Sequence, residues 1–335
     1  MITSFQSALR ARARALGATI VLPEGEDERV LAAAVALAAE GLVEPIVLGP
    51  GEATRASLER RGGSGIRVVD PAEAPEAYAV ELQAARAHRG MTLDEAREWV
   101  ADPLVYGALM VRRGEVDGSV AGATHAAAPV LRAAFWCVGP AEGIKTVSSS
   151  FYMVVDDFRG EGEEVLTFTD CAVVPNPTPD QLADIASAAA TARRRIVGDR
   201  PRVAFLSYST HASGDGPSVD RVREALALFR VRRPDVEADG EFQVDAALLP
   251  GVGRRKAPTS DLAGRANVLV FPDLDAGNIG YKLTQRLAHA AALGPVLQGL
   301  RLPCNDLSRG SSVQDIIEVA CVTALQAKGD SPPQP

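Results

Sequence analysis

The chain has 335 residues, 47% of them hydrophobic, enough for about two domains of ordinary size with packed cores; disorder and collagen-like repeats are excluded. Its 35 Lys and Arg against 43 Asp and Glu leave a net charge of -8, a repulsive average surface for polyanions that argues against a nucleic-acid partner. The longest uninterrupted apolar run, Val30 to Ala39, is only half of the ~20 residues that cross a bilayer, so no membrane span is expected.

At the N-terminus Phe5, Leu9, Ala13 and Leu16 fall on one helical face while Arg10 and Arg14 point away, as in an amphipathic first helix. The competing reading is a transit peptide, since three arginines precede the first acidic residue, Glu24. Short β-branched runs then alternate with helical stretches: strands at 18–22, 45–48 and 66–69, helices at 24–39 and 52–61. Helical patterns follow at 75–88, 92–100 and 103–113, then a strand at 118–121 and a helix near 128–138. From Ile144 the texture changes to longer, hairpin-capable strands at 146–155 and 164–168, which marks a candidate domain boundary. Further strands are expected at 202–207, 267–271 and 295–298, with helices at 178–194, 217–231, 275–291 and 312–326, and a frayed tail at 330–335. Such alternation predicts an α/β fold with mostly parallel sheets covered by helices on both faces.

Several motifs fail on inspection. Gly49-Pro-Gly51 and Gly214-Asp-Gly216 lack the third glycine of a dinucleotide loop, and Gly139 to Thr146 lacks the spacing of a nucleotide phosphate loop. Glu26, Asp27 and Glu28 open the second helix, where three carboxylates complement the helix dipole but repel a phosphate. The four cysteines form no C-x-x-C pair and the four histidines are too scattered for a metal signature; free buried thiols in a reducing cytoplasm are the expectation. Chemistry concentrates in Asn305-Asp-Leu-Ser-Arg-Gly-Ser-Ser-Val-Gln-Asp315, where a hydroxyl, a guanidinium and a glycine stand between a strand and the last helix, the makings of an anion site. Ser207 to Gly216 and Asp273 to Lys282 add charge and pliable backbone.

The blocks VLPEGEDERVLAAA from Val21, DPLVYGALMVRRGEVDGSVAGA from Asp102, IKTVSSSFYMV from Ile144, RVAFLSYST from Arg202, ANVLVFPDLDAGNIGYKL from Ala266 and GPVLQGLRLPCNDLSRGSSVQDI from Gly294 resemble the phosphate acetyltransferases along nearly the whole chain. The resemblance implies two three-layer α/β/α domains, the second (145–293) inserted into the first (1–144 plus 294–335), with an active-site cleft between them. It also implies a cytoplasmic homodimer that moves an acetyl group reversibly between coenzyme A and orthophosphate by direct thiolate attack in a ternary complex. Coenzyme A is then a substrate, and neither a cofactor nor a metal is called for.

Carried over residue by residue, the resemblance places Ser308, Arg309 and Asp315 at the reacting centre, Arg86 and Arg132 among further essential arginines, and Lys282 against phosphate. Arg309, a planar fork, suits phosphate and a developing oxyanion, and Ser308 can donate to that oxyanion or to the thiol. A free thiol has a pKa of ~8.5 and a free aspartate ~3.9, so a carboxylate acting as base on a thiol, as Asp315 would, faces a gap of ~4.6 units or about 6 kcal/mol. Ser312 and Asp315 also read as a helix-capping pair. Cys304 invites an acyl-cysteine intermediate, but a buried thiol in an apolar position is the simpler reading. One segment departs from the family: Ala126-Ala-Ala-Pro129 replaces the usual Thr-Thr-Ala-Asp, removing two hydroxyls and a carboxylate. Weaker phosphate binding follows, unless His125 acts as a donor in their place. Longer acyl groups, or a non-catalytic acyl-CoA-binding role, are the alternatives.

Overall fold

The computed structural model describes residues 2–329. The expected tail at 330–335 lies outside them.

The chain divides into two compact units, one built from Gln6–Glu142 and the return segment from Leu300, the other from Gly143–Gly299 with residues up to Phe5. In the first, the elements run α1 (Ser4–Leu16), β1 (Thr19–Leu22), α2 (Glu28–Ala39), β2 (Glu44–Leu48), α3 (Gly51–Glu59), β3 (Arg67–Val69), α4 (Glu76–Arg86), α5 (Leu93–Trp99), α6 (Pro103–Arg112), β4 (Gly118–Ala121) and α7 (Ala127–Cys137). In the second they are β5 (Ser148–Val155), β6 (Glu164–Thr169), α8 (Pro179–Ile196), β7 (Arg202–Leu206), α9 (Pro217–Arg232), β8 (Glu237–Phe242), α10 (Val244–Leu248), α11 (Pro250–Lys256), β9 (Val268–Val270), α12 (Leu274–Leu287) and β10 (Ala291–Gln298). The chain then completes the first unit with β11 (Cys304–Asp306) and α13 (Val313–Lys328).

The first unit's sheet is entirely parallel, in the order β11-β4-β1-β2-β3. Strands such as TIVL in β1 are apolar on both sides because both faces are covered. Val21, Ile46, Leu48, Ala121 and Cys304 present one face to α4 through α7, leaving the other to α2 and α13. The second unit's sheet, β10-β5-β6-β9-β7-β8, is mixed: β10, β5 and β6 are antiparallel neighbours, and the rest are parallel. Its cores lie against α8 and α9 on one face and around Phe168, Phe242 and Leu262 on the other. Helix starts follow local chemistry: Asp27 caps α2, Asp102 caps α6 with Pro103 in its first turn, and Thr178 and Gln181 form a reciprocal capping box on α8.

Three expectations are corrected. The strand feeding the Asp306 to Ser312 loop is not 295–298, which forms the end of β10 and pairs antiparallel with β5, but the short β11. The boundary expected at 293/294 therefore falls inside β10, and the second unit runs on to Gly299, because hydrogen bonds to β5 hold Val296 to Gln298 in that sheet. The second helix begins at Glu28 rather than Glu24, since Glu24 to Asp27 form a turn in which Asp27 donates its N–H to the Glu24 carbonyl.

Candidate active site

Adjacent parallel strands β4 and β11 each deliver a loop at their carboxyl ends, the edge where ligands bind in open α/β sheets. The loop after β11 carries Ser308, Arg309 and Gly310, all exposed. Ser308 Oγ accepts from the Gly310 N–H at 3.3 Å, and among the described residues the Arg309 guanidinium has no hydrogen bond or ion pair. The loop closes on α13 through a capping box: Asp315 Oδ2 accepts from the Ser312 N–H and hydroxyl, both at 2.8 Å, and the Asp315 N–H donates to Ser312 Oγ at 3.2 Å. The capping reading of Asp315 is thus a structural fact, and any chemistry must coexist with it.

The loop after β4 is folded around one carboxylate. Glu24, 6% exposed, accepts from the N–H groups of Gly122, Ala123, Thr124 and His125 at 2.9, 2.7, 2.9 and 3.1 Å, and from the Thr124 hydroxyl at 2.8 Å. His125 Nδ1 lies 2.7 Å from the same carboxylate. Burial alone would push this carboxyl up, yet the bonds from His125, Thr124 and Ala123 together hold it below the ordinary carboxylate range. Gly122 is required where it stands: its φ is +105°, and a Cβ there would run into Asp306 Oδ1 and the Leu307 backbone. Asp306 is 4% exposed and its Oδ1 finds no partner among the described residues; burial pushes its carboxyl up to about 7, with the Glu24 charge adding to the rise against a bond from the Leu307 N–H.

Arg29 joins the two loops. Its Nη1 donates to the carbonyls of Arg309 and Ser311 at 2.9 and 2.8 Å, and its Nη2 to the Ala123 carbonyl at 2.7 Å. Asp27 anchors the fork from behind through Nε at 3.1 Å and Nη2 at 2.8 Å. Asp27 is legible in the sequence as part of the helix start, but the roles of Glu24 and Arg29 are not. Glu24 and Arg29 lie in the quoted block from Val21, but their partners are about a hundred and about 280 positions away, a separation no local pattern encodes.

Arg86, on α4, and Arg132, on α7, are brought together on shared aromatic rings: Arg86 lies 5.2 Å from the Trp136 centroid, and Arg132 lies 4.8 Å from Trp99 and 5.5 Å from Trp136. Arg86 Nε is buried without a partner among the described residues. Lys282 stands on α12 of the other unit, exposed, its Nζ 2.8 Å from Asn278 Oδ1. Ala126 is the N-cap of α7 and offers no side-chain bond, so the missing hydroxyls do fall at a helix start. A cavity of about 550 Å³ at the carboxyl edge is lined by Glu24, Glu26, Asp27, Asp70 and His125, an acidic wall unsuited to phosphate. Cys304 is buried and its thiol is pushed up to about 12 by burial, which leaves it unreactive. Among the described residues no cluster of three or more His, Cys, Asp or Glu could hold a metal, and no helix is long and apolar enough to cross a membrane.

A family model described as phosphate acetyl/butaryl transferase matches residues 4–324. A phosphate acetyltransferase of Thermoanaerobacterium thermosaccharolyticum is 46% identical over 311 residues, covering 92% of this chain and 95% of that one. A phosphate acetyltransferase of Escherichia coli is 43% identical over 97% of this chain and 45% of its own length. The crystal structure of a phosphotransacetylase from Streptococcus pyogenes superposes with a TM-score of 0.90 at 41% identity, covering 98% of this chain and 99% of that one.

Proposed function

The chain belongs to the phosphate acetyl/butaryl transferase family, and on that premise we propose that its loop after β11 serves reversible acetyl transfer between coenzyme A and orthophosphate. The enzyme is an acyltransferase whose substrates are acetyl-CoA and phosphate, or acetyl phosphate and coenzyme A. The observation that carries the site assignment is the guanidinium of Arg309, unpaired among the described residues, beside the Ser308 hydroxyl, both exposed, at the carboxyl edge of a parallel sheet.

Starting from acetyl phosphate, the coenzyme A thiol gives up its proton and the sulfur attacks the carbonyl carbon. A C–S bond forms as the carbonyl π pair moves onto oxygen, and the tetrahedral oxyanion then collapses, breaking the C–O bond to phosphate. Arg309 neutralises the phosphoryl oxygens and the oxyanion, and Ser308 donates a hydrogen bond to the latter. Asp315 is the proton acceptor in this reading, its Oδ2 held by Ser312 while the proton moves in concert with sulfur attack, because a free carboxylate is too weak a base for a resting thiol. Arg86 and Arg132, stacked on Trp136, and Lys282 supply further positive charge for the anionic substrates. A cytoplasmic homodimer completes the proposal, a compartment that suits four buried unpaired thiols.

Thiol release from acetyl-CoA tests the function. It should require phosphate, yield acetyl phosphate, and decline as the acyl chain is lengthened to propionyl and butyryl. Absence of phosphate-dependent release would reject the activity, and faster release from butyryl-CoA would move the substrate to the longer chain.

A further inference from the structure

The carbonyls of Arg309 and Ser311, which frame the exposed Arg309 side chain, are held by a residue from a distant part of the sequence. All five N–H groups of Arg29 have acceptors: Nε and one Nη2 proton face Asp27, the other Nη2 proton faces Ala123, and the two Nη1 protons face Arg309 and Ser311. Asp27 is fixed in turn as the N-cap of α2, accepting from the N–H groups of Arg29 and Val30. Ala123 lies in the loop that Glu24 gathers around its buried carboxylate. One guanidinium thus ties the start of α2, the loop after β4 and the loop after β11 into a single frame.

We propose that Arg29 is a positioning residue for acyl transfer, acting through Arg309 by fixing the backbone from which that side chain projects. This rests on the reading of Arg309 given above. A guanidinium is needed because a fork spans three carbonyls and a carboxylate at fixed angles, whereas an ammonium has three donors on one atom and cannot reach both loops together. Positional errors near 1 Å at a reacting centre cost up to ~10²-fold in rate, so loosening this frame acts on turnover before it acts on folding.

A double-substitution cycle with Arg29→Lys and Arg309→Ala, reading kcat, both KM values and melting temperature, tests the assignment. Arg29→Lys alone should lower kcat by ~10- to 100-fold with KM for coenzyme A changed less than about threefold. In the Arg309→Ala background the same substitution should cost no more than about threefold, because the group through which Arg29 acts is already gone. Full losses that multiply in the double variant, or an unchanged kcat for Arg29→Lys, would overturn the proposal. Near-normal turnover of Arg309→Ala alone would instead show that the underlying reading of Arg309 is wrong. Should Arg29→Lys fold poorly, Asp27→Asn keeps a good N-cap while weakening the anchor, and the same non-additive pattern with a smaller kcat loss is expected; additive losses there would equally overturn the proposal.

Discussion

The loops after β4 and β11 leave the same edge of one sheet side by side, yet they use polar side chains in opposite ways. Around the first, Glu24 is buried and accepts from four backbone amides and a hydroxyl, and its charge is consumed in holding shape. In the second, Ser308 and Arg309 are exposed and the guanidinium is unpaired among the described residues, while the loop's shape is maintained by backbone contacts to Arg29 and by the Ser312 and Asp315 box. A charged side chain with every hydrogen-bonding position filled has little left to offer a ligand. The difference therefore separates the residues that build the edge from those that meet substrate, and Asp315 and Asp306 stand on the dividing line.

The largest effect expected on either side of that line comes from Asp315→Asn. Asparagine can still accept from Ser312, so stability should change by a few tenths to ~1 kcal/mol, whereas loss of a general base lowers turnover by ~10²–10⁴-fold near neutral pH. Partial recovery of rate at alkaline pH, where thiolate forms without help, marks the catalytic role. A variant with near-normal turnover and a lowered melting temperature would place Asp315 with the builders.

Asp306→Asn probes the builders directly. The folded state holds this carboxyl protonated up to about 7, above the ~3.9 of an unfolded aspartate, so its favourable contribution is fully present below ~4 and is lost as pH rises through about 7. Asparagine removes that loss. Denaturant unfolding should show the variant gaining on the native protein by an amount on the order of a few kcal/mol between pH 4 and pH 8. A stability difference that does not vary with pH would mean that Asp306 is not a buried neutral acid.

A smaller effect is expected at the bare start of α7. Restoring threonine at Ala126 and Ala127 gives that helix a hydroxyl cap, and the KM for phosphate should fall by ~3- to 10-fold, as for one or two hydrogen bonds to an anion. An unchanged or higher KM would assign phosphate binding wholly to other groups.

Much of the first unit is legible in the sequence, because runs such as TIVL in β1 and PIVL in β2 are apolar on both faces and α2 between them carries a clear cap in Asp27. β11 is not, since Cys-Asn-Asp holds a strand only by pairing with β4 and carries no β-forming pattern of its own. β8, reading EADGEF, is hidden for a related reason: an edge strand with one neighbour can be polar and still pair. At the site, the loop of Ser308 and Arg309 and its capping pair are local features and can be read directly. The carboxylate nest of Glu24, the clamp of Arg29 and the shared stacking of Arg86 and Arg132 on Trp136 depend on contacts between segments far apart in sequence, which only the fold brings together.

Turnover of Arg309→Ala, measured beside its melting temperature, tests most directly that the loop after β11 is the reacting centre. Removing a guanidinium that meets phosphate and oxyanion should cost ~2.7–4 kcal/mol of transition-state stabilisation, a fall of ~10²–10³-fold in kcat, with the melting temperature unchanged because the side chain has no partner within the protein's described residues. Turnover within about threefold of the native enzyme would contradict that assignment and move the reacting centre away from this loop.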